Sequence, residues 1–361
     1  MTALTTALLH SNGKVPIDQS SRILSDGLEK FIVTVGGTGS PGYNGDEIAA
    51  TITQIDQPHG ISVDGKGNVY FSSQLNHRVR KVTASTGIIT TIAGTGSAGY
   101  NGDVIMASSA QLNNPHGVAV DGPGNVYLTD LLNQRVRKVT ASTGIITTIA
   151  GTGSAGYNGD GIVASNAQLY YPHEVAVDVL GNVYISDTYN HRVRKVTVST
   201  GIISTIAGTG QLGYSGDGIM AARAKLNSPN NVAADVSGNI YITDTNNHRV
   251  RKVTVSTGII STIAGTGYGG YNGDGIMATS AKLYRPEGIA INGSGDVYIA
   301  DTYNYRIRLL TSVSPTASPS TAPSVSPTAC PTDAPSMTPT ACPTDAPSMA
   351  PTSCPTDAPS M

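Results

Sequence analysis

The chain has 361 residues, of which 39% are hydrophobic and 13% charged, and its 22 Lys and Arg against 24 Asp and Glu give a formal net charge of −2. So few charged residues argue against a coiled coil or a helical bundle, and so small a charge gives no long-range attraction to nucleic acid or to an anionic membrane. No apolar run approaches the roughly 18 residues of a membrane-spanning helix, so we expect no membrane span.

The first segment of the chain, residues 1–30, is an N-terminal extension. Its short apolar patch over residues 3–9 has no basic residue before it and makes a poor secretory signal. We therefore expect a cytoplasmic protein, or an extracellular or cell-wall-associated one if a signal is missing upstream.

An internal repeat of 57 residues follows the extension. Its Gly-Thr-Gly motif begins at Gly37, Gly94, Gly151, Gly208 and Gly265. A Tyr-Asn/Ser-Gly-Asp motif and a Pro recur with it, and residues 82–103 are identical to residues 139–160. Copies this similar must share one fold, so the repeat decides the architecture.

Each repeat contains four short segments rich in β-branched and aromatic residues. In the third repeat they are residues 175–178, 182–186, 192–196 and 202–207. Gly-containing turns separate them, which predicts four antiparallel strands and one small sheet per repeat. Residues 161–169 have near-helical spacing of apolar residues, and we expect Asp160 to be the N-cap of a short helix there.

One four-stranded sheet of this size buries too little apolar surface to be stable, so several must pack face to face in a closed ring, as in an all-β β-propeller. The third repeat reads Pro172-His173-Glu174-Val175, Asp178, Gly181-Asn182-Val183-Tyr184, Asp187 and Asn190-His191-Arg192-Val193. This pattern, repeated five times over residues 37–310, resembles the NHL-repeat family. The resemblance implies a propeller and leaves the function open, since NHL propellers include enzymes, adhesion modules and protein- or RNA-binding platforms.

The ends of the repeat array predict how the ring closes. The fifth repeat has three strand segments and lacks its fourth, while residues 31–35 form an unpaired strand segment before the first Gly-Thr-Gly. We expect this N-terminal strand to complete the fifth four-stranded blade and close a propeller over residues 31–311. The alternative is a sixth blade in a longer parent chain.

Residues 312–361 form a tail of Pro, Ser, Thr and Ala, with Pro at every fourth position from Pro315 to Pro359. This low-complexity composition predicts a disordered, polyproline-like segment, and it resembles the O-glycosylated stalks of secreted proteins. The three cysteines of the chain lie here, at Cys330, Cys342 and Cys354. Their odd number permits an intermolecular disulfide in an oxidising compartment, whereas in a reducing one the tail is a free-thiol linker.

The position after the repeat Pro predicts a ring of polar side chains around the central channel. Its occupants are His59, His116, His173, Asn230 and Glu287. Three imidazoles and a carboxylate could bind zinc or another divalent transition metal. The Pro-His pairs resemble those by which peptidylglycine amidating lyases hold a metal, which implies a metal-dependent lyase or hydrolase as an alternative function. A purely structural, channel-lining role explains the same residues, and no catalytic residue can be assigned.

Divergent loop positions on the same face predict a recognition surface for a protein or glycan. They are Tyr170, Tyr171, Tyr189, Tyr284, Arg285 and Tyr303. Tyr and Arg anchor many interfaces, so a non-catalytic binding module is the preferred hypothesis.

Two recurring sets of polar residues fit structural roles. The Asp187, Asn190 and Arg192 set recurs, which indicates a hydrogen-bonded turn rather than an active site. Arg78, Arg80, Lys81 and their counterparts predict a basic outer stripe, but in a nearly neutral domain this makes nucleic acid an improbable partner.

Overall fold

Each copy of the repeat forms one antiparallel sheet. The structure, a computed structural model, describes residues 33–310, and the N-terminal extension, residues 31–32 of the predicted closing strand and the tail lie outside this range. Within it, four sheets of five strands and one of three form a five-bladed, all-β propeller. Short 3-10 turns are the only helical elements of the described residues.

The strands of blades 1 to 4 follow the repeat, and blade 5 has the first three long strands of it. Blade 1 contains β1 (Ile48–Ala49), β2 (Pro58–Val63), β3 (Val69–Ser73), β4 (Arg78–Val82) and β5 (Ile88–Ala93). Blade 2 contains β6 (Ile105–Met106), β7 (Pro115–Val120), β8 (Val126–Asp130), β9 (Arg135–Val139) and β10 (Ile145–Ala150). Blade 3 contains β11 (Ile162–Val163), β12 (Pro172–Val177), β13 (Val183–Asp187), β14 (Arg192–Thr197) and β15 (Ile202–Ala207). Blade 4 contains β16 (Ile219–Met220), β17 (Pro229–Ala234), β18 (Ile240–Asp244), β19 (Arg249–Thr254) and β20 (Ile259–Ala264). Blade 5 contains β21 (Gly288–Ile291), β22 (Val297–Asp301) and β23 (Arg306–Leu310).

The 3-10 turns occupy two places in the repeat. One set follows the short outer strand, at Ala50–Ile52, Ala107–Ser109, Ala164–Asn166, Ala221–Arg223 and Ala278–Ser280. The other set joins the second and third long strands, at Leu131–Asn133, Thr188–Asn190, Thr245–Asn247 and Thr302–Asn304.

The first long strand of each blade is the innermost, as predicted. The strands β2, β7, β12, β17 and β21 contact one another in that order. In blades 1 to 4 the register of this strand shifts just after its Pro, for example between Pro172 and Val175. This β-bulge turns the intervening His173 and Glu174 out of the regular alternation of the strand.

The number of strands per blade differs from the prediction of four. A two-residue strand pairs with the outer edge of blades 1 to 4, as β11 does with β15, and covers an edge that would otherwise be free. The segment predicted as a short helix is this strand and a single 3-10 turn. Asp160 does not cap it, because the turn starts after Val163 and no side chain bonds its end.

Apolar side chains from successive blades pack face to face. Val175 and Ile185 of blade 3 share a core cluster with Tyr127 and Val136 of blade 2. The backbones also approach closely, because a Cβ on Gly60 would collide with the carbonyl oxygen of His116. Each blade therefore completes the core of its neighbour.

A buried arginine ties the loop before each blade to the blade itself. Arg194 is fully buried and pairs with Asp187 at 3.3 Å and with Asp160 at 2.9 Å. Tyr157 donates its hydroxyl to the same Asp160 carboxylate, and its ring centroid lies 4.9 Å from the Arg194 guanidinium carbon. The equivalent arginines are Arg80, Arg137, Arg251 and Arg308.

These contacts correct the predicted basic outer stripe. Arg80 belongs to the buried series, so only Arg78 and Lys81 of that stripe remain partly accessible. Arg78 in turn lies over the ring of Tyr43, at 3.8 Å from its centroid. Most of the positive charge of the repeat therefore stabilises loops.

The outer faces of the first and last blades are not covered by the described residues. Ile61 of blade 1 is 68% exposed, while Val118 at the same position of blade 2 is 3% exposed. Ile307 of blade 5 is 73% exposed, while Val250 of blade 4 is fully buried. Residues 33–35, the described part of the predicted closing strand, belong to no strand.

We expect Arg194→Ala to lower the free energy of unfolding by about 3–5 kcal/mol, because it leaves the buried Asp187 carboxylate without a counter-charge. Urea unfolding followed by circular dichroism measures this loss. Arg223→Ala, which removes an exposed arginine of a 3-10 turn, is the matched control. A loss of less than about 1 kcal/mol in Arg194→Ala would mean that the pair contributes no more than a surface ion pair.

Candidate functional site

The recurring Asp, Asn and Arg of blades 2 to 5 hold the loops at one end of the propeller, as the structural interpretation of this set predicts, and in blade 1 Ser73 takes the place of the Asp. Asp187 accepts hydrogen bonds from the backbone N–H of Tyr170 at 2.7 Å and from the Asn190 amide at 2.9 Å. The N–H of Tyr189 bonds to the carbonyl oxygen of Tyr170 at 3.1 Å. The loop before the first long strand and the turn after the second are thus fixed side by side, on what we call the loop face.

The histidine of the second turn joins neighbouring blades on the same face. His191 Nδ1 accepts the backbone N–H of Ser228 at 3.1 Å, and in blade 2 the Gln134 side chain accepts the N–H of Tyr171 at 2.7 Å. Burial and the adjacent Arg192 lower the pKa of His191, which favours the neutral, accepting form. This position has a structural role.

The three histidines after the repeat Pro form a stacked row near the centre. The ring centroids of His59 and His116 are 4.4 Å apart, and those of His116 and His173 are 4.9 Å apart. His116 Nδ1 donates to the carbonyl oxygen of His173 at 3.0 Å, and the Asn230 amide bonds to His173 Nδ1 at 2.9 Å. The row brings together four of the five side chains that the sequence predicts to meet, namely His59, His116, His173 and Asn230.

The row is neutral at physiological pH. Burial, with a contribution from the neighbouring imidazoles, lowers the pKa of His116 to about 3 and that of His173 to about 4. Burial also lowers the pKa of His59. Stacked neutral rings that bond to carbonyl and amide groups form a packed polar layer.

The arrangement of the histidine row can be compared with that of a metal site. Among residues 33–310, no three His, Cys, Asp or Glu side chains converge as the ligands of a metal do. The imidazole rings of His116 and His173 pack against each other. Among the described residues, no contact links Glu287 to either ring. Zinc or another transition metal at His59, His116, His173 and Glu287 stays a prediction.

A second layer of the centre contains a buried carboxyl group that the sequence analysis did not single out. Glu174 extends into the space left by the missing side chain of Gly117 in the preceding blade. Its oxygens accept the N–H of Val175 and the amide of Asn231, each at 3.1 Å. Burial raises the pKa of Glu174 to about 8. The other repeats have Gly at this position. The replacement of that Gly by Glu174 and Asn231 is the sequence feature that could have identified the buried carboxyl group.

Three predicted tyrosines form one cluster on blade 3. The ring centroids of Tyr170 and Tyr171 are 5.5 Å apart, and that of Tyr189 lies 5.4 Å and 4.9 Å from these two. Tyr170 and Tyr189 are exposed, and Tyr189 also reaches within 6.4 Å of the His173 ring. The cluster is a rigid aromatic surface beside the histidine row.

The remaining predicted residues form a second cluster on blade 5. Tyr284 and Tyr303 have centroids 5.4 Å apart, and the Arg285 guanidinium carbon lies 4.7 Å from the Tyr303 centroid. Blade 4 lies between the two clusters and presents Asn227 and Asn246 at the same loop positions. The loop face of blades 3 to 5 thus alternates aromatic, amide and aromatic groups.

Comparison with known proteins agrees with this architecture. A family model described as the NHL repeat matches residues 169–196, 226–253 and 283–308, which contain the three long inner strands of blades 3 to 5. The chain therefore contains NHL repeats, in blades 3 to 5. Blades 1 and 2 share the strand order of blades 3 and 4.

Several curated proteins resemble this NHL chain. Protein SUPPRESSOR OF QUENCHING 1, chloroplastic, of Arabidopsis thaliana is 28% identical over 293 residues, covering 77% of this chain and 27% of that protein. Teneurin-4 of Mus musculus is 29% identical over 287 residues, covering 69% and 10%. NHL repeat-containing protein 2 of Gallus gallus is 25% identical over 365 residues, covering 86% and 48%. The chain spans less than half of each relative.

Solved structures support the fold alone. The crystal structure of the nidogen/laminin complex matches with a TM-score of 0.50 and 15% identity, over 72% of this chain and 77% of that one.

In the part of the chain that the structure describes, no helix is long and apolar enough to cross a membrane.

We expect Glu174→Gln to raise the free energy of unfolding at pH 7. The folded-state pKa of Glu174 is raised, so its favourable contribution is complete below the unfolded value near 4.5 and is lost as the pH rises toward 8. A neutral amide avoids this loss. The free energy of unfolding of the variant should therefore exceed that of the wild type by on the order of 2 kcal/mol at pH 7.

Thermal unfolding of both proteins from pH 4 to pH 8 measures the difference, with the exposed Glu47→Gln as the control. The stabilisation should disappear at pH 4. A variant that is equally stabilised at pH 4 and pH 7 would contradict titration of Glu174 as the cause.

Proposed function

We propose that this NHL propeller is a non-catalytic binding module that recognises a protein or glycan through its loop face. The observation that supports this proposal most directly is the exposed aromatic cluster of Tyr170, Tyr171 and Tyr189, with a second aromatic pair on blade 5. These rings stand where other repeats have Asp, Leu, Asn, Gln or Ser, so the fold does not require them.

Rigidity supports the proposal. The Tyr170 and Tyr189 loops are held by the buried Asp187 carboxylate and by their own backbone hydrogen bond. Side chains held in place before binding lose little conformational entropy when a ligand arrives. Aromatic residues on fixed loops of a repeat scaffold are a common form of binding surface.

Binding of the purified chain to arrays of immobilised glycans and secreted proteins tests the proposal. We expect Tyr189→Ala to weaken binding of any ligand by at least about tenfold, as for a central interface residue. Leu180→Ala is the control, because this exposed side chain lies in the turn at the opposite end of β12. No ligand on either array, or equal binding by Tyr189→Ala, would refute the proposal.

The alternative is a metal-dependent lyase or hydrolase that uses the histidine row. The closeness of His59, His116 and His173 is the observation in its favour. Elemental analysis of the same preparation separates the two functions. About one transition metal per chain, lost when all three histidines are replaced by Ala, would favour the alternative.

We further propose that residues 31–35 complete blade 5 and close the ring. In the described residues, the N–H of Gly37 bonds to the carbonyl oxygen of Ala50 at 2.9 Å, as that of Gly94 bonds to Ala107 at 3.0 Å. Gly94 directly follows the fourth long strand of blade 1. The segment before Gly37 therefore enters from the position of such a strand. A sixth blade supplied by a longer parent chain is the alternative.

We expect deletion of residues 1–36 to lower the midpoint of thermal unfolding and to increase binding of a hydrophobic dye, because the proposed closure, which would cover Ile61 and Ile307, could then not form. Deletion of residues 1–24, which spares the predicted strand, is the control. Equal midpoints and equal dye binding for the two deletions would argue against closure by this segment and favour the missing sixth blade.

A further inference from the structure

Arg285 is the one charged residue at its repeat position. The equivalent residues are Gln57, Asn114, Tyr171 and Ser228. The fold uses only the backbone of this position, since the N–H of Arg285 bonds to His248 Nδ1 at 3.0 Å, as Ser228 bonds to His191. The side chain is therefore free to serve a ligand.

The guanidinium of Arg285 has no ionic partner among the described residues. Its Nε is buried without a hydrogen bond, and its terminal nitrogens make none with residues 33–310. The strand arginines share the unbonded Nε, as Arg194 does, but their terminal nitrogens bond to carboxylates and carbonyl oxygens, so Arg285 differs from them at its terminal nitrogens. A buried donor without an acceptor is costly unless a ligand supplies one.

The surroundings of Arg285 define the shape of that ligand. One face of the guanidinium stacks on Tyr303, and the exposed Tyr284 ring lies beside Tyr303 and His248. The planar edge of a guanidinium matches both oxygens of a carboxylate. The flat rings on either side can contact the apolar face of a ring-shaped ligand.

The local charge favours an anion. Burial and the nearby Arg285 and Arg249 lower the pKa of His248, so this imidazole adds no positive charge at pH 7. Burial raises the pKa of Glu287, two residues away, while the nearby positive charge of Arg285 acts to lower it, and no salt bridge joins the two side chains. Arg285 is thus a cation that no carboxylate contacts directly among the described residues.

We infer that Arg285, Tyr284 and Tyr303 form a subsite for a uronic acid residue of an acidic glycan, an inference that rests on the proposed binding function and specifies its ligand. The adjacent blade 4 offers side-chain amides from Asn227 and Asn246, which suit the hydroxyl groups of the next sugar. The exposed aliphatic anchors of the loop face, Leu75 and Leu132, lie on blades 1 and 2. This arrangement favours a glycan over a peptide at blade 5.

Isothermal titration of the full chain with short oligogalacturonates and oligoglucuronates tests this subsite. Their methyl esters, which keep the sugar rings and lose the charge, and oligoglutamate, an acidic peptide, complete the set. Arg285→Gln should weaken uronate binding at least about tenfold, the loss of a charged hydrogen-bonded pair. Arg285→Lys should restore part of it, because it keeps the charge and loses the planar fork.

Arg223→Gln, an exposed arginine away from the loop face, is the control for net charge and should bind as wild type. Matching unfolding midpoints show that the Arg285 variants are folded. The inference fails if neither uronate binds, if the methyl esters or oligoglutamate bind equally well, or if Arg285→Gln binds as wild type. If array ligands still bind through Tyr189 in those cases, the proposed function stands and only the uronate subsite is refuted.

Discussion

The structure depends on the packing of each small sheet against the next. No blade has enough apolar surface of its own, and Val175 and Ile185 are buried only because Tyr127 and Val136 of the preceding blade cover them. Stability therefore accumulates along the array, as in other repeat proteins. The same constraint identifies the weak places, since Ile61 and Ile307 have the residue types of core positions and are exposed.

Elements common to all repeats build the scaffold, and elements that differ carry the candidate function. The buried Arg194 and Asp187 fix the loop containing Tyr157 and the loop that presents Tyr170. With its backbone fixed in this way, a loop position can change its side chain without changing its path. Tyr171 and Arg285 stand at one such position and give blades 3 and 5 different chemistry on an equivalent backbone.

Much of the fold could be predicted from the sequence, because a 57-residue period determines the blade and its innermost strand. Local signals were less reliable. Asp160 has the spacing of an N-cap, but its carboxylate pairs with Arg194, a partner 34 residues away. The convergence of His116 and His173 followed from the period, whereas their stacked rings depend on the bulge after Pro172. Glu174 was missed because a departure from the repeat, here from Gly to Glu174 and Asn231, carries no periodic signal.

The chemistry of the centre and of the loop face differ in a way that favours binding over catalysis. Buried imidazoles with pKa values near 3 and 4 are poor proton acceptors at neutral pH, and Glu174 with a pKa of about 8 holds its proton there. The centre therefore presents neutral, mutually bonded groups. Full charge and exposed aromatic area occur together instead around Arg285 and Tyr303. A ligand gains most free energy where an unpaired cation and an open ring face already stand side by side.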